Sequence, residues 1–449
     1  MNFKFPKEFL FGAASSAVQI EAGVGEGGKG ADVLDYYWTL YPEKYGQADP
    51  SKAADFYHKY PEDIKMMKEL GLKAFRFSFS WSRIYPNGME AGPCQAGIDY
   101  YSDMIDKLIE ADIVPFFDLW HCDMPAWVME KGGVLSPDFG DWFAEYAKTC
   151  FKAFGGRVQY WSTVNEPNVN VMAAYAWGIT APFEKDIARS VLACHNMVLA
   201  HFKAVKVFRE LNIPGKIGFV NHVQLAYGLT LSKEDQEAAE RNMGFYSNWF
   251  NDAMLLGHYP ESVVHYPYLA DHLPENYQKE LDDNFIPCDF FGINYYSSSV
   301  VKYEKNDILD YKIVTDLLPK DDYGFTVNPQ GIYDTIMYVQ NRYPGIELAI
   351  TENGISRARS GNYEEELDDD YRITYLREHL RGVARAVAAG APVTGYFHWS
   401  LMDTNELYVN GYSHLFGLLQ VRFDKPTLDR VPRKSWYYYQ EIIAKGEVN

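Results

Sequence analysis

Residues 158–167 read VQYWSTVNEP. The run opens with the β-branched and aromatic residues that suit a strand, turns polar at Asn165 and Glu166, and stops at Pro167. Residues 347–354, ELAITENG, follow the same plan, with Glu352 and Asn353 closing an apolar run before the turn at Gly354. Working outward, the strand candidates are Phe9–Ser15, Ala74–Trp81, Ile113–His121, Val158–Asn165, Lys216–His222, Asp289–Tyr296, Glu347–Glu352 and Val393–Ser400. Amphipathic stretches separate them; in GIDYYSDMIDKLIEADI, Ile98, Tyr101, Ile105 and Leu108 recur at helical spacing. Pro61 and Pro137 suit first-turn helix positions. Eight strand-then-helix units predict parallel strands closing into an α/β fold, a (β/α)8 TIM barrel with elaborated βα loops. No linker divides the chain, so residues 1–449 are read as a single catalytic domain. An open nucleotide-binding sheet is the rival, but Gly25-Glu-Gly27-Gly-Lys-Gly30 follows a polar stretch, not a strand end, and reads better as a flexible βα loop. Residues 298–328 read as a loop inserted between the sixth and seventh units.

The 449 residues carry 42 basic and 61 acidic side chains, a formal charge of −19. So acidic a surface repels phosphate backbones and anionic lipid, which argues against nucleic-acid and membrane partners. No window approaches a membrane-spanning length, and the start, MNFKFPKEFLFGAASSA, is broken by Pro6, Lys7 and Glu8 where a secretory signal would be apolar. The five cysteines are widely spaced, as expected of reduced thiols, and the expected location is cytoplasmic. Homo-oligomerisation is left open. The acidic run Glu364, Glu365, Glu366, Asp368, Asp369, Asp370 reads as a solvated helix start. Scattered histidines, no H-e-x-x-H pattern, and His195 and His201 six apart on one helix predict no metal site. Aromatic residues reach 16%, enough either to pack a core or to stack on sugar faces.

In a parallel barrel every strand points its carboxyl end at one face. Glu166, Glu352, the pair Trp120-His121 and the run Asn294-Tyr295-Tyr296 would therefore converge there. Two carboxyl groups flanking one site are what glycosidic hydrolysis requires: one protonated to expel the leaving oxygen, one ionised to attack the anomeric carbon or hold a water. A lone strand-end glutamate is more often an ion-pair partner. Two of them, each beside an asparagine and a turn, weaken that reading.

The chain resembles glycoside hydrolase family 1, the β-glucosidase family. TVNEP resembles its acid/base motif and ITENG its nucleophile motif, and FLFGAASSAVQIEAG, FRFSFSWSRIYP, GINYY, GYFHWSL and KSWYYYQ follow in the family's order. The resemblance implies a retaining double displacement on unphosphorylated β-O-glycosides without a cofactor, with Glu352 as nucleophile and Glu166 as acid/base. It further implies that Arg76 and Tyr296 orient Glu352 and that Asn165 contacts the sugar 2-hydroxyl. Gln19, His121 and Glu406 would bind other hydroxyls, Trp399 would lie beneath the ring, and Asn294 would sit near the nucleophile. From the residues alone, Gln19 could cap a loop, His121 and Trp399 could be core, and Arg76 could be a structural ion-pair partner.

Several positions depart from the family pattern. Asp403-Thr404-Asn405-Glu406-Leu407 keeps the sugar-binding glutamate but lacks the Trp that usually follows. Leu407 or Tyr408 is the candidate replacement, and altered glycone selectivity or loop shape is expected. The 6-phospho-glycosidase branch has Ser, Lys and Tyr where Glu406, His414 and Phe416 stand here, which disfavours a phosphorylated substrate. Cys122 replaces a Trp, and Asn168 and Phe325 replace bulky residues on the aglycone side, so a distinctive aglycone site, suited to aryl or plant-type glycosides, is expected. The competing readings are a thioglucosidase, a non-catalytic binding relative and a transglycosylase. Glu166 argues against the first and the presence of both glutamates against the second.

Overall fold

A computed structural model of the chain describes residues 3–45, 53–406 and 411–449. Eight strands form a closed, wholly parallel barrel: β1 (Leu10–Ala14), β2 (Ala74–Ser78), β3 (Val114–Trp120), β4 (Tyr160–Asn165), β5 (Lys216–His222), β6 (Phe290–Asn294), β7 (Glu347–Asn353) and β8 (Val393–Trp399). Each matches one expected strand to within two residues at either end, except that β2 stops three residues short of the expected Trp81. The strands are almost continuously buried because the barrel interior covers one face and helices the other.

Aromatic rings fill the barrel. Phe116 lies at the centre, stacked on Tyr160 at 5.5 Å and meeting Phe290 and Phe397 edge-on, each at 5.4 Å. Glycines make room for them: a Cβ on Gly12 would lie 2.4 Å from Phe397. Outside, the helix Gln95–Glu110 buries Tyr101, Met104, Ile105 and Leu108. The 24-residue helix Ile187–Glu210 is, by length and composition, apolar enough to cross a membrane, which corrects the reading that no segment is. Two thirds of its apolar window is buried inside the fold, as in a core helix.

Four further expectations are corrected. Pro61 lies inside the helix Phe56–Leu70 and Pro137 precedes the N-cap Asp138 of Phe139–Phe154, so neither occupies a first turn. The segment after β6 is not plain loop: Ser299–Tyr303 pairs with Tyr311–Ile313 and with Ala226–Gly228 in a three-stranded sheet. The Gly25–Gly30 loop is packed in part: Lys29 is buried against Asp32 and a Cβ on Gly27 would meet the Tyr57 hydroxyl at 2.3 Å, while Gly25, Glu26 and Gly28 are exposed. The acidic run is only partly solvated, since Asp369 is buried and accepts hydrogen bonds from the Ser435 backbone and hydroxyl and from Arg372.

The strand register shifts where chemistry is expected. β4 slips against β5 between Ser162 and Asn165, and β7 slips against β6 between Ile350 and Glu352. Such irregularities re-aim side chains at a barrel rim.

Candidate active site

Glu166 follows β4 with left-handed backbone angles, φ 46° and ψ 51°, and caps the helix Pro167–Tyr175. Pro167 disfavours the right-handed helical region for the residue before it. Four bonds hold the turn: Glu166 N–H donates to Val220 O at 2.9 Å, while Val169 N–H at 3.0 Å, Asn170 N–H at 2.9 Å and Asn170 Nδ2 at 3.0 Å donate to Glu166 O. Strain of this kind persists where the surroundings over-determine it.

Glu352 faces the same pocket as Glu166 but in a different electrostatic setting. Arg76 Nη1 donates to Glu352 Oε1 and the Tyr296 hydroxyl to Oε2, each at 2.6 Å. Both carboxylate oxygens thus have strong donors, one of them a buried guanidinium. Burial alone would pull the Arg76 guanidinium down, but Asp118, 2.6 Å away, and Glu352 offset this and hold it above its ordinary value. Burial and the Glu352 charge push the Tyr296 phenol well up, so it remains a neutral donor.

Glu166 has no cation at bonding distance among the described residues. Asn294 Nδ2 donates to its Oε1 at 2.8 Å. Burial and then the Glu352 charge push its carboxyl up to about 8, against the lowering influence of Asn294 and Arg76. The two carboxyl groups of one pocket thus meet different partners, a guanidinium and a phenol for Glu352 and an amide for Glu166. A relay joins them: Asn165 Oδ1 accepts from Arg76 Nη2 at 2.7 Å and from Asn294 Nδ2 at 3.0 Å, while Thr351 donates to Asn294 Oδ1 at 2.7 Å.

Gln19, His121, Trp399 and Glu406 line the inner pocket. Trp399 lies nearly parallel to His121, with ring centres 5.7 Å apart. His121 Nε2 meets Asn165 Nδ2 at 3.2 Å, and Gln19 is fixed by Ser16 at 2.7 Å and by the Asn405 carbonyl at 3.0 Å. Burial raises the Glu406 carboxyl to about 7, with Thr404 donating to it. Leu407 and Tyr408 lie outside the described residues.

Phe325 and Cys122 also line the pocket. Asn168 does not, which corrects its placement on the aglycone wall. It is fully buried, and its Nδ2 donates to the carbonyls of His222 at 2.8 Å and Tyr246 at 3.0 Å. Val169 and Ala173, one helical turn apart, face the cavity instead. His195 and His201, set apart by sequence, are separately buried, on Tyr259 and Glu280 and on Thr163 respectively.

Sequence reasoning missed Asp118, His222 and Tyr246. Asp118 carried a signal, a lone acid inside the apolar run VPFFDLW, which needs a buried cation. His222 ends β5 as a polar residue like those ending the other strands. Tyr246 lies in a helical segment far along the chain, and nothing local marks it.

A family model described as glycosyl hydrolase family 1 matches residues 1–448. A β-glucosidase A of Acetivibrio thermocellus is 36% identical, the match covering 98% of each chain. A 1,4-β-D-glucan glucohydrolase of Thermotoga neapolitana is 37% identical over 99% of each. Among solved structures, a family 1 β-glucosidase from Thermotoga maritima in complex with isofagomine lactam superposes with a TM-score of 0.92 at 35% identity, covering both chains fully.

Proposed function

The chain belongs to glycosyl hydrolase family 1 and is a retaining glycosidase, and from that premise we propose that it is a β-glucosidase using Glu352 as nucleophile and Glu166 as acid/base. The observation that carries the assignment is the asymmetry of the pair: Glu352 clamped by Arg76 and Tyr296, Glu166 raised to about 8 with an amide as its partner. In the first step Glu352 attacks the anomeric carbon while Glu166 gives its proton to the departing oxygen. Esterification removes the Glu352 charge, which is one of the forces holding the proton on Glu166. The acid so becomes a readier base for the water that completes turnover. Asn165, bridging Arg76 and Asn294, is suited to the 2-hydroxyl, and Gln19, His121 and Glu406 to the outer hydroxyls above Trp399.

An unphosphorylated glycone fits this wall. Glu406 is a carboxyl, Phe416 presents a ring, and His414 is engaged with Ser413 and the Asp322 carbonyl. Three measurements test the reading. Among the 4-nitrophenyl glucoside, galactoside, fucoside and xyloside, the glucoside is expected to be cleaved, and its 6-phosphate is not. Glu352→Gln lowers kcat by several orders of magnitude. Glu166→Ala slows substrates with poor leaving groups most and yields a β-glycosyl azide when azide is added. Equal losses for good and poor leaving groups, with no azide adduct, would remove Glu166 from the acid role.

A further inference from the structure

We propose that the leaving-group half of the pocket selects a flat, apolar alcohol, aryl or arylalkyl, and discriminates against a second sugar. This rests on the β-glucosidase reading and adds the identity of the aglycone class.

The pocket is divided by chemistry. Gln19, His121 and Glu406 gather at the Trp399 end. From the catalytic pair outward, the wall becomes a continuous arc of rings. Trp177 lies nearly parallel to Tyr246 at 6.4 Å; Tyr246 meets His222 at 5.6 Å, and His222 meets Tyr296 at 6.0 Å. Tyr296 stacks on Phe325 at 5.2 Å, and Phe325 on Tyr323 at 4.8 Å. Val169, Ala173 and Ile179 complete the wall with aliphatic surface.

The arc is poor in polar atoms, and half of those it has are committed. The Tyr296 hydroxyl serves Glu352, and the Tyr246 hydroxyl is paired with His222 Nδ1 at 2.9 Å. Burial pushes the His222 imidazole down to about 4, so it brings no charge. Its Nε2, buried and without a partner among the described residues, is one hydrogen-bonding point. A pyranose carries several hydroxyls, and this nitrogen, the Tyr323 hydroxyl and the Trp177 indole N–H, spread around the arc, cannot together replace all the water those hydroxyls would lose. An aromatic ring has nothing to leave unpaired and gains stacking along the arc.

Packing of the loops alone does not explain the outer end. Trp177 is 36% exposed and Ile179 53% exposed at the mouth, so apolar surface is left facing water. A bound apolar aglycone would cover it.

The test compares benzyl β-glucoside with cellobiose. Both leave as alcohols, and the sugar hydroxyl is the more acidic, so chemistry alone favours cellobiose. The expected kcat/KM is at least tenfold higher for the benzyl glucoside, and Trp177→Ala or Phe325→Asn should shrink that ratio at least threefold. The unaltered enzyme supplies a second measurement. During turnover of 4-nitrophenyl glucoside, benzyl alcohol and glucose at equal concentration compete for the glycosyl-enzyme. The acceptor oxygen bonds to the anomeric carbon, its proton passes to Glu166, and the ester to Glu352 breaks. More benzyl glucoside than disaccharide is expected. Preference for cellobiose, or for glucose as acceptor, overturns the inference while leaving the glucosidase reading intact. If 4-nitrophenyl glucoside is not cleaved, the glucosidase reading falls and the aglycone assignment falls with it.

Discussion

Glu166 concentrates the chemistry at the scale of one residue. Its carboxyl is pushed to about 8, chiefly by burial and then by Glu352, and Asn294 works in the opposite direction by donating to it. The acid form therefore survives to mildly alkaline pH, and kcat/KM for an alkyl glucoside should fall above about 8. Asn294→Ala removes a donor that favours the ionised form, so the alkaline limb should move to higher pH while kcat drops; a pH–rate profile reads both. A limb that stays in place would detach Asn294 from the acid. The same shift bears on stability. In the unfolded chain Glu166 ionises near 4.5, whereas the folded state holds the proton to about 8. Its contribution is therefore fully present below 4.5 and is lost as pH rises through that window. Glu166→Gln should raise Tm relative to the unaltered protein by an amount that grows from pH 5 to pH 8, measured by calorimetry.

At the scale of elements, the site depends on how closely strand ends approach each other. Gly354 follows β7, and a Cβ there would lie 1.9 Å from the Trp399 carbonyl oxygen at the end of β8. Gly354→Ala must push β7 and β8 apart, costing about 1–3 kcal/mol or more. It should also displace Trp399 and raise KM, which denaturant titration and steady-state kinetics would detect together. Asn168 ties the helix after β4 to β5 and to the Tyr246 segment through two carbonyls. Asn168→Ala removes a donor from each carbonyl, although His222 O keeps the Ser247 hydroxyl at 3.3 Å, at a cost of about 1–3 kcal/mol. The loss should appear in stability, read by denaturant titration, and in the position of His222 and Tyr246, which Asn168 holds from outside the pocket. Unchanged stability would contradict that role.

Over the whole molecule, the final helix helps hold the loop that carries Glu406. Arg433 caps Lys434–Lys445 and grips Asp403 through two bonds of 2.9 and 2.8 Å, three residues before Glu406. Asp403 also accepts from the backbone N–H groups of Gly417 and Val421, each at 3.2 Å. Arg433→Met leaves a buried carboxylate without its cation, a loss of about 3–5 kcal/mol. The expected result is a lower Tm with KM raised severalfold for every glucoside, read by thermal denaturation and kinetics. Unchanged KM in a folded variant would separate the loop from the helix.

The barrel was legible because eight apolar runs, each bounded by turn residues and followed by a helical pattern, have one economical closure. Glu166 and Glu352 stood out as acids at the ends of strands, where a core has no use for charge. The packing of Gly27 against Tyr57, the sheet after β6 and the burial of Asp369 were hidden, because each depends on partners far away in sequence. Asn168 was misplaced because sequence gives a residue's position but not the rotation of its helix. Residue order by itself determined the periodicities, the strand count and the pair of acids. Only the folded chain decided which acid is held by a guanidinium and which by an amide, and which rings line the pocket, because burial, cation proximity and ring contacts are properties of distances that close only when the barrel does.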